Sequence, residues 1–158
     1  MSTQPVSLGK KIPDFRAEAT LAGFSLADHK GKTLVLYFYP RDNTPGCIQQ
    51  SMAFRDRHEE FAKAGATIVG VSRDSMRSHE GFAQKYELPF PLISDTNESV
   101  CDLFDVMKTK KSYGKLVHGI ERSTFLIDPS GKLVQEWRGL RVDGHVDEVL
   151  EAVRKLAV

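Results

Sequence analysis

Cysteine is the side chain in this 158-residue sequence with the most chemistry to offer, and there are two, Cys47 and Cys101. Cys47 ends the stretch YFYPRDNTPGC, in which an aromatic run gives way to turn residues. If a helix opens there, the sulfur meets first-turn N–H groups that have no partner within the helix. Their partial positive charge favours the thiolate, the form of sulfur that attacks. The four residues Thr44, Pro45, Gly46 and Cys47 put a hydroxyl where a dithiol reductase would carry its other thiol. Such a site cannot cycle through an adjacent disulfide. The threonine hydroxyl can instead donate to, or accept from, an oxygen-containing substrate. Taken singly, each residue has a plainer reading: Cys47 as an inert helix-start thiol, Thr44 and Pro40 as turn formers.

The elements that must hold this cysteine can be read along the chain. Thr33–Tyr39 is continuous and β-branched or aromatic, as a strand covered on both faces should be. Pro40 ends it. A helix is expected from about Cys47, with Ile48, Met52, Phe54, His58 and Phe61 at helical spacing and Gly65 as the stop. Residues 66–72 read as a second buried strand, 75–86 as a helix, 91–94 as a short strand and 97–104 as a short helix. Residues 108–119 read as a polar, basic loop carrying Lys108, Lys110, Lys111 and Lys115, a solvated hairpin rather than a partner site. Residues 123–128 and 132–137 flank Pro-Ser-Gly and predict an antiparallel hairpin. Val146, Val149, Leu150, Val153 and Leu156 trace one face of a closing helix. Around Ala22 and Gly23, residues 15–20 and 24–26 suggest a short N-terminal hairpin. The order predicts an α/β sandwich with a mixed central sheet flanked by helices, thioredoxin-like in having its cysteine at the first strand-to-helix junction. One domain over residues 1–158 suits a chain of this length.

On Pro40-x-x-x-Thr44-x-x-Cys47, on Gly119–Asp128 (GIERSTFLID) and on Phe90–Asp95 (FPLISD), the chain resembles the peroxiredoxins, and among them the bacterioferritin-comigratory-protein (peroxiredoxin Q) subfamily. The resemblance implies a thiol-specific peroxidase that reduces hydrogen peroxide and organic hydroperoxides through a Cys47 sulfenic acid. It implies that Thr44 hydrogen-bonds at the site, that Pro40 shields the pocket and that Arg122 flanks the sulfur. Arg122 suits that role physically, because a guanidinium stays charged and offers several donors in a fixed fork. Ionisation alone falls short of what a peroxidase needs. An ordinary thiol is already about 3% thiolate at neutral pH, so complete ionisation gains only about 30-fold. The remainder must come from aligning the sulfur with the O–O axis and stabilising the departing oxygen.

Reduction of the sulfenic acid is where the chain departs from its relatives. By resemblance, a resolving cysteine belongs five residues after Cys47 or on the next long helix. Those positions hold Met52 and Ala83. Cys101, in NESVCDLF, reads as a small buried apolar residue, with a resolving role as the sharper alternative. A one-cysteine cycle is therefore expected, with thioredoxin, glutaredoxin or a small thiol as external reductant, in the service of redox homeostasis and oxidative-stress defence. The rival from another class is a thioredoxin-like binding or holdase module whose Cys47 is silent.

Composition excludes several functions. With 22 basic and 21 acidic residues the formal net charge is +1, which makes no electrostatic case for nucleic acid or membrane binding. The five histidines (29, 58, 79, 118 and 145) show no metal-ligand spacing, so neither metal nor organic cofactor is expected. No phosphate-binding loop or serine-nucleophile motif occurs. Asp95 and Asp128 follow strands and should cap the next turn or helix. The N-terminal residues lack the apolar run of a secretory signal, and no exposed apolar segment compels a dimer. A cytoplasmic monomer is the expectation.

Overall fold

The apolar run after Lys32 becomes the middle of a five-stranded sheet. In the computed structural model, which describes residues 5–157, β1 (Arg16–Ala17) and β2 (Phe24–Ser25) form a short antiparallel hairpin before β3 (Thr33–Phe38). There follow α1 (Pro45–Asp56), α2 (His58–Lys63), β4 (Ala66–Ser72), α3 (Met76–Lys85), β5 (Leu92–Ser94) and α4 (Ser99–Leu103). The chain continues through β6 (Met107–Ser112), β7 (Lys115–Ile120), β8 (Ser123–Ile127), β9 (Leu133–Arg138) and α5 (His145–Leu156). The central sheet runs β5-β4-β3-β8-β9. Its β3–β4 and β4–β5 pairs are parallel and its β3–β8 and β8–β9 pairs antiparallel, the mixed sheet the sequence predicts.

Side chains alternate along a strand, so β3 feeds two separate cores. Leu34, Leu36 and Phe38 face one core, shared with Cys101, Phe104, Phe125 and Ile127. Val35, Tyr37 and Tyr39 face the other, shared with Cys47, Phe54, Phe61, Phe82, Val149 and Val153. This second core is where the long helices pack. Asp95 and Asp128 act as caps: Asp95 accepts from the amides of Val100 and Cys101 at 3.0 and 2.7 Å, and Asp128 from those of Ser130 and Lys132.

One expectation needs correction. The helix after Cys47 is broken at Arg57, whose amide bonds back to the carbonyl of Phe54, three residues earlier. Residues 108–119 form the solvated hairpin expected of the basic stretch, β6 and β7 pairing antiparallel in register from Met107↔Ile120 to Ser112↔Lys115. Tyr113 and Gly114, with φ of 50° and 79°, make the two-residue turn whose twist suits a hairpin. The pattern hides because most of the hairpin is exposed on both faces, so no apolar alternation marks it.

His145 ties α5 to the sheet. It is buried, with Nε2 2.8 Å from the Thr124 hydroxyl and its ring edge-on to Trp137. Burial, with the charge of Arg122 as a second cause, lowers its pKa to about 4. Unfolding restores a normal value, so between about pH 6.5 and 4 the unfolded chain binds the extra proton and stability falls as pH falls. This one group accounts for about 2 kcal/mol of loss between pH 7 and pH 5. Urea unfolding at the two pH values should therefore show a smaller pH penalty for His145→Gln than for the parent, and an equal penalty excludes His145 as its source.

Candidate active site

The turn between β3 and α1 is built so that a cysteine arrives inside the first turn of a helix. Thr44, with extended backbone, is the N-cap and Pro45 the first helical residue. The first intrahelical bond runs from the Ile48 amide to the Thr44 carbonyl at 2.8 Å. The amides of Gly46 and Cys47 therefore lie in the turn that has no i−4 carbonyl to bond. Thr44 does not cap through its side chain; its hydroxyl donates to the carbonyl of Arg41 at 2.9 Å. Pro40 opens the turn and is exposed.

Arg122 comes to the same place by strand register. Ser123 of β8 pairs with Phe38 of β3, so the residue just before β8 stands at the end of β3 from which the turn departs. Its backbone is fixed by the Leu140 amide, which donates to the Arg122 carbonyl at 3.2 Å. The guanidinium then reaches across the chain: Nη2 donates to Cys47 Sγ at 3.3 Å and Nη1 to Gln50 Oε1 at 2.7 Å. A Cβ on Gly46 would sit 3.1 Å from Nη2, so glycine at that position gives the guanidinium room. Cys47 and Gln50 are both 0% exposed. The sulfur is enclosed in this conformation, and a peroxide can reach it only if neighbouring groups give way.

The other thiol lies across the sheet. Cys101 belongs to the core beneath Leu34, Leu36 and Phe38, and Cys47 to the one beneath Val35, Tyr37 and Tyr39. Burial, and then Asp95, push the Cys101 thiol well above the usual range, so it is a poor source of thiolate. Ala83, on α3, packs in the Cys47 core.

The AhpC/TSA family model matches residues 8–136. The chain belongs to this family, among its peroxiredoxins of the Bcp/Q type. It is 46% identical over 153 residues to peroxiredoxin Bcp of Bacillus subtilis, covering 96% of this chain and 98% of the relative. With Xanthomonas campestris peroxiredoxin Bcp it shares 53% over 130 residues, 82% of this chain and 81% of the relative. Among solved structures, Xanthomonas campestris peroxiredoxin Q superposes with a TM-score of 0.87 at 48% identity, covering 91% and 92% of the two chains. A cysteine-to-serine mutant of Xylella fastidiosa PrxQ reaches 0.92 at 38%, covering 99% and 100%. The fold is thus the thioredoxin-like one of the peroxiredoxins. The activity is that of a thiol-dependent peroxidase, an oxidoreductase that takes a peroxide substrate and a thiol reductant.

Of the residues singled out from sequence, Cys47 and Arg122 come into contact. Thr44 and Pro40 belong to the turn that leads to Cys47, and Cys101 stands apart. Sequence reasoning missed Gln50, although its place one helical turn after Cys47 is a signal that it shares the same face. It also missed the meeting of Asp42, Asp74 and His79, whose potential ligand atoms lie within 4.8 Å of one another. No local spacing announces that cluster, because His79 comes 37 residues after Asp42.

Gln50 is neutral, so it orients Arg122 without drawing its charge from the sulfur. A carboxylate there would compete for the guanidinium and add a negative charge beside the thiolate. Gln50→Glu is expected to move the pH midpoint of Cys47 alkylation upward, measured as iodoacetamide rate against pH. An unmoved midpoint would show that the Gln50 contact does not bear on the sulfur.

Proposed function

We propose that Cys47 is the nucleophile of the peroxidase and that Arg122, Thr44 and the turn begun by Pro40 shape its site. The observation that carries this reading is the 3.3 Å bond from Arg122 Nη2 to Cys47 Sγ inside the first turn of α1. The thiolate attacks one oxygen of ROOH. The O–O bond breaks, the S–O bond forms, and the departing alkoxide or hydroxide takes up a proton as alcohol or water. Arg122 faces the charge that develops on the oxygens, and the amides of Gly46 and Cys47 add their donors. The Thr44 proton is committed to Arg41, so its oxygen is left to accept from the peroxide O–H.

The cycle closes with an external thiol. It attacks the sulfenic sulfur and releases water, and a second thiol then frees Cys47 from the mixed disulfide. The separation of Cys101 from Cys47 by the sheet supports this one-cysteine route. Thioredoxin, glutaredoxin or a small thiol would serve as reductant, and hydrogen peroxide or an alkyl hydroperoxide as substrate. A Xanthomonas campestris relative, 48% identical, has been studied for alkyl peroxide reduction, which favours the latter class. The chain is proposed to act as one domain, as a monomer, in the cytoplasm, in defence against peroxides. Among the described residues no helix is long and apolar enough to cross a membrane.

Peroxide consumption driven by dithiothreitol should fall to background in Cys47→Ser, which also separates the enzyme from a redox-silent binding module. Intact mass after one equivalent of peroxide should show a gain of oxygen on Cys47. A loss of two hydrogens, as a Cys47–Cys101 disulfide, contradicts the one-cysteine route, and full activity in Cys47→Ser overturns the assignment of the nucleophile.

A further inference from the structure

The turn that carries Thr44 and Cys47 is tied down by a buried polar cluster that does not include Arg122. Its centre is Asp42, five residues before Cys47. One carboxylate oxygen accepts from the Tyr39 hydroxyl at 2.7 Å; the other accepts from the Ser78 hydroxyl at 2.9 Å and lies 2.7 Å from His79 Nδ1. The side chains of His79 and Asp42 are 0% and 1% exposed. The other ring nitrogen of His79, Nε2, donates to the Ile93 carbonyl at 2.9 Å, so both ring nitrogens face oxygen acceptors. The Asp42 backbone is anchored as well, its amide donating to Asp74 Oδ2 at 2.9 Å. Asp74 is in turn held by the Ser72 hydroxyl, which donates to the same oxygen, and by the Ser94 hydroxyl, which donates to its carbonyl.

The cluster therefore joins the ends of β3 and β4, the start of α3, and β5 to one residue of the turn. Both Asp42 oxygens, both His79 ring nitrogens and Asp74 Oδ2 are engaged in these bonds, which ties the three residues to one another and to the turn. Its energetics suit that task. Charge-assisted bonds withdrawn from water are strong when complete and costly when one partner is lost, so the turn has one favoured position.

We propose that Asp42, with His79 and Asp74, forms a clamp whose role in the reaction is to position the Cys47 turn. It touches neither sulfur nor peroxide. It fixes the backbone between Pro40 and Thr44, and with it the direction in which the first turn of α1 presents Cys47 to Arg122. Alignment of sulfur with the O–O axis is the larger part of what the site must supply beyond ionisation, and alignment is what a loosened turn gives up. This proposal rests on Cys47 being the reacting sulfur.

The test compares two reactions of the same thiol. Reaction with peroxide needs the aligned site, whereas alkylation by iodoacetamide at a pH of full ionisation needs only access to an enclosed sulfur. In Asp42→Asn and His79→Gln the second-order rate constant for peroxide is expected to fall by roughly tenfold or more, with alkylation unchanged or faster. Because unfolding would expose the sulfur and also raise alkylation, the two rates are compared on variants whose circular dichroism and urea midpoint match the parent, so that a changed ratio reports the turn and not loss of the fold. A parental ratio, whether both rates hold or both fall, overturns the clamp. Should those variants fail to fold, Ser78→Ala removes a single hydroxyl from Asp42 and should shift the ratio in the same direction by roughly threefold; no shift overturns the proposal. Cys47→Ser, run alongside, separates the two assignments. Activity there sinks the nucleophile, while its loss together with parental ratios in the clamp variants sinks the clamp alone.

Discussion

A guanidinium that donates to a sulfur 75 residues away in sequence is the contact on which this site turns. It is not a local accident of the helix start. It requires β8 to lie against β3 with Ser123 opposite Phe38, so that Arg122 stands where the turn departs. Gly46 leaves it room, because a side chain there would crowd the guanidinium. It also requires a neutral partner on the other arm of the fork, which Gln50 supplies. To a neutral thiol such a contact is weak; to a thiolate it is charge-assisted and worth about 1.5–3 kcal/mol. The same packing that holds β8 against β3 thus brings this donor to the sulfur.

The central sheet imposes the second constraint. Its two faces each receive one of the two thiols, and β3 runs between them with no residue to spare for a gap. On one side, Cys47 meets Arg122 and lies within the core that also holds Ala83. On the other, Cys101 is sealed among apolar groups and Asp95, where its thiol resists ionisation. A disulfide between them would need the strand that separates them to move. The proposed dependence on an external thiol follows from this partition, since the positions from which relatives are expected to resolve hold Met52 and Ala83.

Much of this was legible in the residues because the signals are local. The β3 run, the turn residues after it and the helical spacing after Cys47 mark a strand-turn-helix junction, and the Pro-Ser-Gly turn marks the β8–β9 hairpin. What the sequence hides is long-range or exposed. The β6–β7 hairpin shows no alternation because little of it is buried. The link from Asp42 to His79 depends on α3 packing beside the end of β3, and no spacing encodes that. Gln50 could have been found from its place on the helix face, but its partner Arg122 could not be fixed without the sheet register.

The most direct test of the central contact is the ionisation of Cys47 itself, followed as the ultraviolet absorbance of the thiolate against pH. Removing the donor in Arg122→Ala should shift the absorbance midpoint to higher pH, with Cys47→Ser as the blank that isolates this thiol. A midpoint that stays where the parent has it would mean that the guanidinium does not hold the sulfur ionised, and would contradict activation of Cys47 by Arg122.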